Sequence, residues 1–172
     1  MNEVFRDRSI HKYYQCMVAG RIEEKRLIAG FLRKDEAANT VTVHPLEVEG
    51  SAPIMTEYFP LAGNGTYTLL QVTLLTGRSH QIRAHLASIG HPVLGDYKYG
   101  DRRLNETMKA RYGLRSQLLH SWRLVMPDTL TAPLDHLRGK EFTARLPGMF
   151  EKVLQGEGID GSCFPQTVSV DS

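Results

Sequence analysis

The sequence predicts an α+β domain, a mainly antiparallel mixed sheet flanked by short helices. Three observations point there. Roughly seven β-prone stretches are separated by glycine, proline or polar turns. Two of them, residues 54–61 and 67–75, flank Ala62-Gly63-Asn64-Gly65-Thr66, a glycine- and asparagine-rich hairpin turn. Strands and helices also fail to alternate in the βαβ order that a parallel sheet requires.

Taken in order, residues 2–11 are polar and form a lead-in. Residues 12–19, KYYQCMVA, are aromatic-rich and end at Gly20, the pattern of a strand. Residues 27–32 and 40–44 give two more strands around the polar turn KDEAAN. Pro45, Gly50 and Pro53 make 45–53 a loop. After the hairpin, residues 105–112 form a short helix stopped by Gly113, and 118–126 a strand ended by Pro127. Residues 141–146 are a last strand, and one helical turn follows from Gly148. Residues 1–154 then form one domain, and 155–172, rich in Gly, Ser and Asp, a flexible tail.

The composition, 41% hydrophobic and 23% charged over 172 residues, is that of a folded domain with a sizeable core. No apolar run approaches the roughly 20 residues of a membrane helix, and the N-terminus holds no signal-peptide core. Cys16 and Cys163 are far apart with no metal-ligand spacing, so neither zinc nor a disulfide framework is indicated. A cytoplasmic protein is expected.

The richest stretch is 76–100, TGRSHQIRAHLASIGHPVLGDYKYG. Ser79 is its candidate N-cap, Ile82, Leu86 and Ile89 form one apolar stripe, and Gly90 with His91-Pro92 stops the helix. Arg78, His80 and Arg83 cluster at its opening, where unpaired N–H groups favour anions. Arg83 falls off the apolar stripe and faces a groove or solvent. Between Arg78 and Arg123 nine basic residues stand against three acidic ones, so this segment carries +6 while the whole chain carries +2. That asymmetry marks a polyanion-binding face, with Arg78, His80, Lys98, Arg102 and Arg103 as RNA-contact candidates. A solvated helix face is the bland alternative.

Other chemistries find less support. His80 and His85 are five apart, which places them on different sides of a helix, and His91 lies beyond its stop, so no metal site is expected. No nucleophile elbow or phosphate-cradling loop occurs, and Cys16 is a buried small hydrophobe. Tyr13, Tyr14, Tyr97 and Tyr99 are candidates for stacking on unpaired bases.

Three segments, in order, carry a resemblance. Residues 77–83, GRSHQIR, with His85-Leu86 and then 90–96, GHPVLGD, resemble the signature of RluA-type RNA pseudouridine synthases. Lys12-Tyr13-Tyr14 through Val18-Ala19-Gly20 is similar to that family's K-x-Y-x-x-x-V-x-G strand, and 119–124, LHSWRL, to its later strand. The resemblance covers about residues 5–146 and implies a pseudouridine-synthase-like catalytic domain. It implies isomerisation of uridine to pseudouridine in ribosomal or transfer RNA, without cofactor or metal. It assigns the tyrosine that lies against the target base to Tyr14, and the basic partner of the catalytic aspartate to Arg83.

One departure matters. The family's aspartate belongs to an H-R-L-D-x-x-T-S-G segment preceding the K-x-Y strand, and this sequence contains no such segment. The chain therefore resembles a catalytic domain truncated at its N-terminus, expected to be inactive alone and to self-associate through an open sheet edge. Asp96 is expected to brace its turn. The alternatives are a non-catalytic RNA-binding protein of the same descent, and a metal-dependent hydrolase using His80, His85 and His91.

Overall fold

A computed structural model describes residues 10–162. Seven strands form one sheet: β1 (His11–Ala19), β2 (Arg26–Asp35), β3 (Thr40–His44), β4 (Ser51–Gly63), β5 (Tyr67–Leu74), β6 (Leu119–Val125) and β7 (Glu141–Thr143). Their order across the sheet is β3-β2-β4-β5-β1-β6-β7, and each of these pairings is antiparallel. The helices are α1 (Gln81–Ser88), α2 (Arg102–Tyr112) and α3 (Gly148–Gly156), with a short 3-10 turn at Asp135–Leu137.

The pleat explains why β1 and β5 read as continuous apolar runs. Met17 pairs with Leu69, and Cys16 with Leu70, so successive residues enter opposite faces and both faces are covered. Met17 and Leu69 join Met108, Tyr112, Phe150, Val153 and Leu154 beneath α2 and α3. Cys16, Val18, Leu70 and Val72 meet Ile82 and Leu86 of α1 on the other side. The Cys16 thiol is fully buried, and burial pushes its pKa far up, so it packs as a small hydrophobe.

Several boundaries depart from the sequence reading. The 45–53 loop becomes strand at Ser51, and Pro53 pairs with Phe31 of β2, whereas β5 joins β4 only from Thr56. Pro53 thus has an open side, where a missing N–H costs no ladder bond. Helix α2 starts three residues earlier than expected because the Asp101 side chain accepts from Leu104 N at 2.9 Å. The last strand ends at Thr143 rather than 146.

Residues 155–159 are not the flexible tail expected. Helix α3 spans nine residues rather than one turn, and Ile159 is 4% exposed within the core. Glu157 accepts from Arg111 Nη1 at 2.5 Å and from the Tyr112 hydroxyl at 2.7 Å, and its carbonyl accepts from Asn64 Nδ2 at 3.0 Å. These bonds tie the segment to α2 and to the hairpin turn. The rest of the expected tail, Cys163 included, and most of the polar lead-in lie outside the described residues.

If Ile159 is core, Ile159→Ala should cost about 2–5 kcal/mol of stability in urea unfolding, as other buried aliphatic truncations do. A loss within the roughly 0.5 kcal/mol of surface substitutions would show that the packed body ends near residue 154.

Candidate active site

The loop between β5 and α1 is built around a residue that the sequence reading passed over. Gln81 is 2% exposed, and its amide is fully used. Its Oε1 accepts from Arg78 N at 3.0 Å and from Thr76 Oγ1 at 2.9 Å. Its Nε2 donates to the Met55 carbonyl and to Thr56 Oγ1, both at 3.1 Å. This leaves no task for Ser79, the expected N-cap. The N-cap is His80, in the left-handed region at φ 55 with no side-chain cap bond. Such a conformation costs a non-glycine residue about 1–2 kcal/mol, so packing must hold it.

One turn further on, His85 anchors α1 to the sheet. It is 2% exposed, its Nδ1 lies 2.9 Å from Thr56 Oγ1, and the ring also meets the backbone of Ala29. Burial holds the imidazole pKa below its ordinary value, with the Ala29 bond opposing.

With α1 held by Gln81 and His85, Arg83 projects sideways. Its Nε donates to Asp96 Oδ2 and its Nη2 to Asp96 Oδ1, each at 2.7 Å, a bidentate pair. The side chains are 14% and 1% exposed, respectively. Asp96 Oδ1 also accepts from Lys98 N at 2.9 Å and from Tyr99 N at 3.1 Å. Burial alone would raise the Asp96 carboxyl, but Arg83 and the two backbone donors outweigh it and hold the pKa below the usual range. The carboxylate braces its turn, and at 1% exposure neither oxygen is open to a sugar.

Tyr99 completes the cluster. Its ring lies 5.1 Å from the Arg83 guanidinium carbon, and its hydroxyl accepts from Val41 N at 3.0 Å. That hydroxyl is 2.8 Å from His80 Nδ1, and the two rings meet edge to face at 5.6 Å. These contacts hold His80 in its strained conformation. Burial lowers the His80 pKa, Arg83, Lys98 and Lys34 add to the effect, and Asp96 opposes them. The Lys98 ammonium donates to the Asn39 carbonyl.

Of the residues singled out in the sequence, His80, Arg83 and Lys98 thus converge on the 96–99 turn. Arg78 is exposed at the entry to α1, and Arg102 and Arg103 are exposed in the first turn of α2. Tyr14 sits apart on β1 but packs against the cluster containing Ile82, the residue before Arg83. Burial pushes the Tyr14 phenol up, with a Ser121 hydrogen bond opposing, so it stays protonated at neutral pH. Tyr13 carries the Arg123 guanidinium at 4.9 Å, and Tyr97 is exposed. His80, His85 and His91 serve three separate partners, Tyr99, Thr56 and the Ala19 carbonyl, so they do not converge on one metal position. A cleft of about 270 Å³ beside Arg21, Glu23, Glu24, Arg26, Tyr58 and His91 contains, of the candidates named above, His91 alone.

The fold agrees with the comparisons. The model of a family described as RNA pseudouridylate synthase matches residues 1–88, and the chain belongs to that family. It is 35% identical over 118 residues to ribosomal large subunit pseudouridine synthase C of Vibrio cholerae, covering 68% of this chain and 36% of that protein. It is also 35% identical over 148 residues to an RNA pseudouridine synthase of Chloroflexus aurantiacus, covering 86% and 42%. The chain therefore spans less than half the length of these curated relatives. Among solved structures, human RNA pseudouridylate synthase domain containing 4 superposes with a TM-score of 0.71 at 20% identity, covering 92% of this chain and 66% of that one. Human RNA pseudouridylate synthase domain containing 1 gives 0.62 at 25% identity, covering 91% and 69%.

His85 gives the site a pH signature. Its folded pKa lies below the unfolded value, so the unfolded chain binds the extra proton. Stability is then full above about pH 6.5 and falls as pH drops below it through the folded pKa. The melting temperature should be lower near pH 5 than near pH 7.5, with His85→Gln flattening that slope. An unchanged slope in H85Q would place the titration elsewhere.

Proposed function

We propose that this chain carries the base-facing and basic half of an RNA pseudouridine synthase site. Tyr14 lies against the target uracil, and Arg83 meets the carboxylate of the catalytic aspartate. The reaction is an isomerisation of uridine within ribosomal or transfer RNA. The N1–C1′ bond breaks, the base rotates, and C5 bonds to C1′. The C5 hydrogen leaves as a proton and N1 takes one up, so no cofactor or metal is consumed. The target must leave its stack first, because the reacting atoms are otherwise hidden. Arg78, His80, Lys98, Arg102 and Arg103 hold the RNA backbone, and a cytoplasmic location suits such a substrate.

The observation that carries this reading is the placement of Arg83. It is a fixed guanidinium in the first turn of α1, beside Ile82 in the cluster that Tyr14 abuts. These 172 residues hold no H-R-L-D segment, and Asp96 is fully committed to Arg83 and its own turn. By itself the chain should bind RNA and not isomerise it. Tritium release from 5-tritiated uridine in unmodified ribosomal RNA should stay at background, while RNA is retained in a salt-sensitive way. Release above background would overturn the inactive reading.

A second reading, an RNA-binding protein without catalysis, is favoured by the occupied fork of Arg83. Fusing a family H-R-L-D segment to the chain separates the two, since only the first reading then yields tritium release.

The sheet ends, β3 and the three-residue β7 with Phe142 exposed, suit pairing with a second copy. Light scattering at micromolar concentration should report a dimer or larger species. A monomeric mass would remove this proposal.

A further inference from the structure

We infer that Asp96 is the positioning residue for Arg83, fixing its guanidinium so that only its Nη1–Nη2 end is left to meet a further group: RNA in this chain alone, the catalytic carboxylate in the assembled site. The inference rests on the reading of Arg83 as a functional arginine.

A free arginine at a helix opening samples many rotamers, and ordering it costs up to about 2 kcal/mol. Here that freedom is removed before any ligand arrives. Asp96 takes the Nε–H and one Nη2–H, and the Tyr99 ring closes one side of the guanidinium. The carboxylate is itself immobile. Its backbone carbonyl accepts from Gly100 N at 2.9 Å and from Asn105 Nδ2 at 2.8 Å, and Asn105 Oδ1 accepts from Gly95 N at 2.8 Å. Asn105 is 1% exposed, and a Cβ on Gly95 would stand 2.2 Å from the Ser116 carbonyl, so the turn cannot slide. Helix α2 thus braces the turn, the turn holds Asp96, and Asp96 holds Arg83.

The exposures give this chain of support a direction. Asp96 is 1% exposed and Arg83 14%, so the pair presents its cation and hides its anion. A polyanion approaching Arg83 meets a planar donor edge at a set angle, with the balancing negative charge behind it. Removing the Asp96 charge should therefore weaken RNA binding, although charge balance alone predicts the opposite.

The test compares the full chain with Asp96→Asn, Arg83→Ala, the double variant and Arg83→Lys. Binding to a short single-stranded oligouridylate is measured at fixed salt, and the arginine Nε–H resonances are followed by NMR. Wild type should show a slowly exchanging Nε–H signal that R83K lacks and D96N loses, apart from those of Arg123 and Arg138. D96N should bind RNA about tenfold more weakly, a typical effect for one charge-assisted contact, and D96N/R83A no more weakly than R83A. Unchanged or tighter binding by D96N, or additive losses in the double variant, would overturn the inference. If D96N does not fold, R83K decides the matter with Asp96 intact. Binding as weak as R83A supports an oriented fork, and wild-type affinity shows that charge alone matters. If wild type shows no salt-sensitive RNA binding, the functional reading fails. The Nε–H signal then decides the positioning role alone, upheld by its loss in D96N and overturned by its persistence.

Discussion

A carboxylate with 1% exposure sets the terms for one whole side of this protein. Leaving it unpaired would be strongly destabilising, and partnering it requires donors from several directions at once. Arg83 supplies two, and the backbone N–H groups of Lys98 and Tyr99 supply the others. Each donor fixes an element. Arg83 fixes the rotation of α1, the two amides fix the 96–99 turn, and Asn105 ties that turn to α2. The ion pair adds little net stability once desolvation is counted, but it specifies one arrangement out of many.

The same economy explains why an eight-residue helix can carry a site at all. Isolated helices of that length are marginal in water, and α1 has no side-chain cap. Its order comes from tertiary contacts. Ile82 and Leu86 enter the apolar cluster, while Gln81 and His85 reach Thr56 on β4. Thr56 has no exposure, and its hydroxyl accepts from Gln81 and shares a hydrogen bond with His85 Nδ1. One threonine in the sheet thus orients both polar anchors of α1, and through them Arg83.

The strands were legible in the sequence because turn chemistry bounds them. Residues 40–44 match the observed strand, and the hairpin around Asn64-Gly65 lies where its glycines indicated. The apolar stripe correctly placed Ile82 and Leu86 inward, but its third member, Ile89, is the C-cap and 37% exposed, because the helix ends at Ser88; Gly90, at φ 85, follows as read. What the sequence hid was polar burial. Gln81, Thr56, His85 and Asn105 look like surface residues in a one-dimensional pattern, since their partners lie on other elements. The tail was misjudged for a related reason. Its composition is polar, but Ile159 and Glu157 fill particular positions against α2 and the hairpin that no local pattern announces.

The charge asymmetry that first suggested a polyanion face is weaker in three dimensions than in sequence. Arg111 is paired with Glu157 and Arg123 with Glu141, both acids lying outside the basic segment, and Lys109 pairs with Glu106 inside it. Among the described residues, Arg78, Lys98, Arg102, Arg103 and Arg115 enter no recorded ion pair, and each is exposed. Three of them, Lys98, Arg102 and Arg103, lie on or directly after the turn that Asp96 braces. Three of the five exposed cations of this segment thus fall within six residues of one another around the braced turn. That is how a modest net charge can still concentrate a polyanion at one place.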